Sequence, residues 1–249
     1  FICYYCKQKV KINGGIHRKD SNYPQIFHFA HFKDSNECPI KTSSKFTKEE
    51  IECIKYNGAK ESLLHIQTKE LIGYLLSLNE KQNKGVSEII IDKVYKAEPI
   101  SKIWRKPDVR CNYKGKTVVF EIQLSTTFLS VIAEREYFYS NHGTYIIWVF
   151  KHFHVQSDLQ RFAQKDILYG NNCNVYVLDE IAINLSKEKK DLILHCYYLK
   201  YEHDGLEMTF NWQDDFISLN ELVFTQETYK ACYHNTIDEK KEIEKIIQN

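Results

Sequence analysis

The run Thr117-Val-Val-Phe-Glu-Ile-Gln123 narrows the fold more than any other segment of the chain. It is rich in β-branched and aromatic residues and follows the turn Lys114-Gly115-Lys116, which is itself preceded by the strand-like stretch from Pro107 to Tyr113. Two such runs joined by a short glycine-containing turn read as a β-hairpin. Side chains alternate faces along a strand, so Val118, Phe120, Ile122 and Leu124 share one side, and Glu121 and Gln123 share the other. Two polar groups on a strand flanked by apolar residues need a reason. Asp108 stands 13 residues before Glu121 on the partner strand. If it lies opposite Glu121, all three polar groups converge.

The neighbouring segments supply helices and further strands. Leu63 to Leu76 carries an apolar face at helical spacing. Residues 43–56 also read as helical, with Thr47-Lys-Glu-Glu50 as a capping box and Asn57-Gly58 as the break. Val86 to Lys96 reads as a strand, Phe128 to Ser140 as a helix stopped by Asn141-His-Gly143, and Tyr145 to Phe150 as an all-apolar strand buried on both faces. Gln156 to Gln164 reads as a helix and Asn174 to Leu178 as a strand. Leu192 to Tyr201 and Leu206 to Trp212 alternate around a turn at His203-Asp-Gly205, and Asp238 to Asn249 is a charged helix. Helices interleaved with strands predict an α/β mixed sheet with helices on its faces.

Composition sets the outer limits. At 43% hydrophobic and 27% charged, the chain of 249 residues is ordinary for a globular protein, which excludes a disordered chain. The longest apolar stretch, Tyr145 to Phe150, is far short of the ~18 residues of a membrane span. With 34 Lys and Arg against 33 Asp and Glu, the net charge of +1 offers DNA no global attraction, so any nucleic-acid contact must come from a local basic patch. The chain begins at Phe1 rather than Met and carries no signal-peptide pattern, which suggests a fragment or processed product in a reducing cytoplasm. Its eight cysteines then point to metal or core rather than disulfides.

Three clusters carry chemistry. Cys3-x-x-Cys6 opens a turn-rich segment that also holds His28, His31 and Cys38 and is too short to bury a core. Thiolate and imidazole are the ligands zinc prefers, four to a structural site. The favoured set is Cys3, Cys6, His31 and Cys38, with His28 the alternative ligand. Residues 1–42 therefore read as a separate module. Asp108 and Glu121 are hard oxygen donors suited to Mg²⁺, which keeps waters and takes substrate phosphate oxygens. Gln123 could orient an attacking water. On the helix, His65 and Lys69 are four apart and share a face.

Taken in order, these pieces resemble the CoiA-like competence proteins of the PD-(D/E)XK nuclease superfamily. Cys3-x-x-Cys6, His28-Phe-Ala-His31, the helix with His65 and Lys69, Arg105-Lys-Pro-Asp-Val109, Glu121-Ile-Gln-Leu-Ser125, Arg135 with Tyr139, and Tyr145-Ile-Ile-Trp148 follow the family's sequence of motifs over residues 1–150. The resemblance implies a restriction-endonuclease-like core over 43–180, a zinc-finger-like module over 1–42 and a β-rich extension over 181–249. It implies a metal-dependent DNA nuclease in which Asp108 and Glu121 hold Mg²⁺ or Mn²⁺. Gln123 stands where the superfamily usually has lysine, a variant found in this group. The missing positive charge then falls to Lys69, with Arg135 second, and His65 supports the site. Glu61 or Glu98 is a further metal contact by the same comparison. DNA is the implied partner, together with a protein partner or further domains, and the setting is bacterial DNA processing or phage defence. Two rival readings are a non-catalytic DNA-binding module on a decayed nuclease fold and a zinc-stapled protein-interaction module.

Overall fold

The computed structural model describes residues 1–3, 8–13, 28–32, 62–96, 104–124 and 129–247. The chain divides into two compact units, Phe1–Ile66 and Gln67–Asn249.

In the first unit, β1 (Val10–Asn13) pairs antiparallel with β2 (His28–His31), Val10 opposite His31 and Asn13 opposite His28. The Cys3 N–H donates to the Gln8 carbonyl at 2.8 Å, Ile2 bridges to Lys9, and Cys3 is buried. Cys6 and Cys38 lie outside the described residues, as do Glu61, Glu98 and the helix expected over 43–56. Helix α1 (Leu63–Lys81) starts in the last residues of this unit and continues into the next.

The second unit is a mixed sheet with helices on both faces. Its strands are β3 (Val86–Ile91), β4 (Val109–Tyr113), β5 (Lys116–Gln123), β6 (Tyr145–Phe150), β7 (Asn174–Val177), β8 (Ile193–His203) and β9 (Met208–Ser218), side by side in that order. The β3/β4, β4/β5, β7/β8 and β8/β9 pairs are antiparallel, whereas β5/β6 and β6/β7 are parallel. A short hairpin of β10 (Val223–Thr225) and β11 (Lys230–Cys232) joins the start of β6. Helices α2 (Leu129–Asn141) and α3 (Phe162–Gly170) make the parallel crossovers. Helix α4 (Glu180–Lys189) precedes β8, and α5 (Thr236–Ile247) ends the described chain.

The alternation along β5 becomes two separate cores. Val118, Phe120 and Ile122 pack in one cluster with Ile72, Leu75 and Leu76 of α1. Val119 packs in the other with Ile132 and Tyr139 of α2 and Ile167 of α3. All six residues of β6 are buried, as expected of a parallel strand in the middle of a sheet. The β-rich segment after 180 continues this same sheet through β8 and β9.

Several expected bounds shift, each for a local reason. The strand from Val86 stops at Ile91 because Asp92 turns the backbone left-handed (φ 55°). The helix expected over Gln156 to Gln164 is instead a 3-10 turn, Ser157–Leu159, followed by α3. Arg161 is extended (φ −71°, ψ 152°), and its N–H donates to the Gln164 side chain at 3.0 Å, so α3 starts after it. Helix α4 escaped the periodicity because only Ala182 and Ser186 are buried along it. Its signal was the cap: Asp179 accepts from the Ala182 N–H at 2.8 Å. Among the described cysteines, Cys111, Cys196 and Cys232 are core residues, and burial pushes the Cys111 thiol up to about 12.

One buried amide ties the C-terminal segment to the sheet. The Asn174 carbonyl oxygen accepts from the backbone N–H groups of Tyr233 (3.0 Å) and His234 (2.9 Å), while its NH₂ donates to the carbonyls of Asn172 (2.6 Å) and His234 (2.8 Å). Asn174→Ala strands those backbone groups and lowers stability by about 2–3 kcal/mol. Urea unfolding measures the loss, and amide exchange at Tyr233 and His234 should rise ahead of exchange in β5 and β6.

Candidate active site

Register decides where the two carboxylates meet. Val109 pairs with Phe120, so the antiparallel ladder continued by one residue sets Asp108 beside Glu121. The ladder stops there, because an Asp108 side-chain oxygen takes the Ile122 N–H at 2.8 Å. Both acids are buried, Asp108 at 7% and Glu121 at 1% exposure.

Helix α2 answers the charge of Glu121. The Tyr139 hydroxyl donates to Oε1 at 2.6 Å, and the Arg135 guanidinium pairs with Oε2. Residues four apart on a helix share a face, so Arg135 and Tyr139 reach the same carboxylate. Burial, then the Glu121 charge, pushes the Tyr139 hydroxyl well above its ordinary range, so it stays a proton donor. The Tyr95 ring stacks near Tyr139 with centroids 6.5 Å apart, and the Arg110 guanidinium lies 4.6 Å from the centre of the Tyr95 ring.

A third carboxylate, Asp92, was not among the expected residues. Its N–H donates to the Asp108 carbonyl at 3.0 Å, which holds the end of β3 against the site. Its side chain binds Lys69 Nζ at 2.9 Å and Lys106 Nζ at 2.8 Å. Lys69 thus reaches this group through Asp92. The signal in the sequence was an acid closing Glu88-Ile-Ile-Ile-Asp92, 15 residues before Pro107. Partial burial works against ionisation of Asp92, but the two ammonium groups outweigh it and hold the carboxyl below its ordinary value of 3.8. A depressed carboxyl adds stability above its unfolded value and loses it as pH falls through the lower folded value. Asp92→Asn, which tolerates the left-handed backbone, therefore flattens the fall in stability below pH 3.8. Thermal melts at stepped pH from neutrality downward measure this.

Gln123 is half-buried at the end of β5, opposite Phe150 in the parallel register. It shares the Glu121 face and lines a cleft beyond the strand end. His65 belongs to the first unit, where its N–H bonds Ser62. Of the expected zinc ligands, Cys3 and His31 lie in described segments of that unit, and of His28 only the backbone, in β2, is described.

Carboxylate oxygens are the donor type that a hard divalent cation takes. Two carboxylates stand on adjacent strands with one face between them, and a buried pair of like charges requires a cationic neighbour. Arg135 supplies that charge to Glu121 in this structure. Among the described residues no group of three or more His, Cys, Asp or Glu could hold a metal ion, so an ion here would complete its shell with waters and substrate oxygens.

Fold and site together define a mixed α/β protein with a two-carboxylate cluster on its central hairpin. The chain belongs to the family described as a domain of unknown function, DUF6035, whose family model matches residues 49–236. A second domain of unknown function, DUF7830, matches residues 1–45. No curated protein and no solved structure matches the chain. Among the described residues no helix is long and apolar enough to cross a membrane.

Proposed function

We propose that this protein is a metal-dependent DNA nuclease of the PD-(D/E)XK type, acting in bacterial DNA processing or phage defence in the cytoplasm. The observation that carries the reading is the register: Asp108 and Glu121 fall side by side on one hairpin face, both buried, with Gln123 two residues on. Asp108 and Glu121 would hold Mg²⁺ or Mn²⁺. Such an ion, when bound, supplies an activated water and offsets charge on the phosphate. Gln123 orients the water by hydrogen bonding. Lys69 and Lys106 set positive charge beside the site through Asp92, and Arg135 and Tyr139 hold the Glu121 carboxylate in one rotamer. A structural zinc on Cys3, Cys6, His31 and Cys38, with His28 as the alternative, is proposed for the first unit.

One observation favours a second reading, a non-catalytic DNA-binding module. Both Glu121 oxygens already have protein partners, as they would in a site retained only for folding. Cleavage assays on linear, circular, single-stranded and nicked DNA, with Mg²⁺ or Mn²⁺ and with EDTA, separate the two. Cutting that requires the metal supports the nuclease. DNA binding without cutting on any substrate supports the second reading.

A further inference from the structure

The parallel strands β5 and β6 end together, with Gln123 opposite Phe150. Beyond those ends lies a cleft of about 270 Å³, closed on its far side by the start of α3. Crevices at the carboxyl ends of parallel strands are where open α/β sheets take ligands. The charge of this cleft is one-sided. Lys151, His152, His154 and Arg161 line it, and no carboxylate stands among its described lining residues.

The two permanent cations are held in place by backbone. Arg161 Nη1 donates to the Leu124 carbonyl at 2.9 Å, and Lys151 Nζ donates to the Leu178 carbonyl at 3.0 Å. A guanidinium has five N–H donors and an ammonium three, so each bond anchors its side chain and leaves donors for an anion. Leu124 and Leu159 supply an apolar wall. Basic groups beside an apolar wall match a nucleoside phosphate. The volume is just below the roughly 300–1,000 Å³ of ordinary ligand pockets, room for one nucleotide. Gln123 belongs to both the cleft and the Glu121 face, and two strand residues span about 7 Å, about one nucleotide's reach.

We propose that this cleft is a subsite for the nucleotide next to the scissile phosphate. Lys151 and Arg161 hold its phosphate with His152 and His154, and its sugar and base lie against Leu124 and Leu159. The subsite deepens the nuclease reading and rests on it for its place along the strand.

Binding in EDTA tests it apart from cleavage. The probes are 5′-dTMP, followed by NMR or calorimetry, and a fluorescent single-stranded DNA 12-mer, followed by anisotropy across a salt series. In the full chain, Lys151→Gln and the double variant His152→Ala/His154→Ala should each weaken dTMP about tenfold, with melting temperature unchanged. Lys151→Gln should also lower the slope of log affinity against log salt by about 0.7, the value of one single-strand phosphate contact. Absence of dTMP binding, or binding equal in the variants and the parent, overturns the subsite. A protein that cuts DNA yet binds dTMP equally in all forms keeps the nuclease and loses the subsite. One that cuts nothing yet loses dTMP in the variants keeps a nucleotide site and loses the nuclease.

Discussion

Asp108→Asn and Glu121→Gln are each expected to slow the proposed metal-dependent DNA cleavage by about 1,000-fold or more, because each removes an anionic oxygen donor while keeping side-chain shape. In Asp108→Asn the new amide oxygen can still face the Ile122 N–H, and in Glu121→Gln it can still accept from Tyr139, so both variants keep bonds that position the hairpin. Rates under single-turnover conditions measure the effect. Circular dichroism melts show that folding is intact. Gln123→Lys places there the residue usual in the proposed PD-(D/E)XK superfamily and should leave the proposed cleavage within about tenfold of the parent, since the role asked of this residue is hydrogen bonding. Cleavage retained in both carboxylate variants would remove Asp108 and Glu121 from the reaction.

Arg135→Ala lowers stability by about 3–4 kcal/mol, because it leaves Glu121 buried and uncompensated. The figure sits at the lower end for a broken buried pair, since the Arg135 side chain is itself 37% exposed and its own charge is partly hydrated. For a chain of this size that corresponds to a melting temperature lower by roughly 6–16 °C. Arg135→Ala combined with Glu121→Gln should recover most of the loss, which isolates the pair in a double-mutant cycle. The same variant reports on the cation. If Asp108 and Glu121 hold Mn²⁺, millimolar Mn²⁺ raises the melting temperature of Arg135→Ala more than that of the parent, because the ion no longer competes with a guanidinium for Glu121. An equal shift in both proteins would separate Arg135 from the metal.

The hairpin was legible because strand alternation is a short-range signal. Val118, Phe120 and Ile122 against Glu121 and Gln123 need only a two-residue period, and β5 carries it. The all-apolar Tyr145 to Phe150 run and the Leu63 to Leu76 face were equally local. Arg135 and Tyr139 entered through the order of motifs, and the structure brings both onto Glu121. Signals that depended on distant partners were lost. Asp92 fell inside the stretch from Val86 to Lys96 that reads as one strand, and its place became visible once its N–H was seen on the Asp108 carbonyl. Helix α4 buries too little of itself to show a period, and the segment from Gln156 hides its break at Arg161, an extended residue held by Gln164.

From the residues alone come the elements, the face each side chain takes, and the pairing of acids within one hairpin. These depend on backbone geometry over two to four residues, which any short segment carries with it. The three-dimensional fold chose the order β3 to β9, joined the strands after 180 to the central sheet, set Lys69 and Lys106 on Asp92, and opened the basic cleft past Gln123. Each of those brings together residues far apart in the chain, and their energies come from burial and charge pairing that exist only after the sheet has closed.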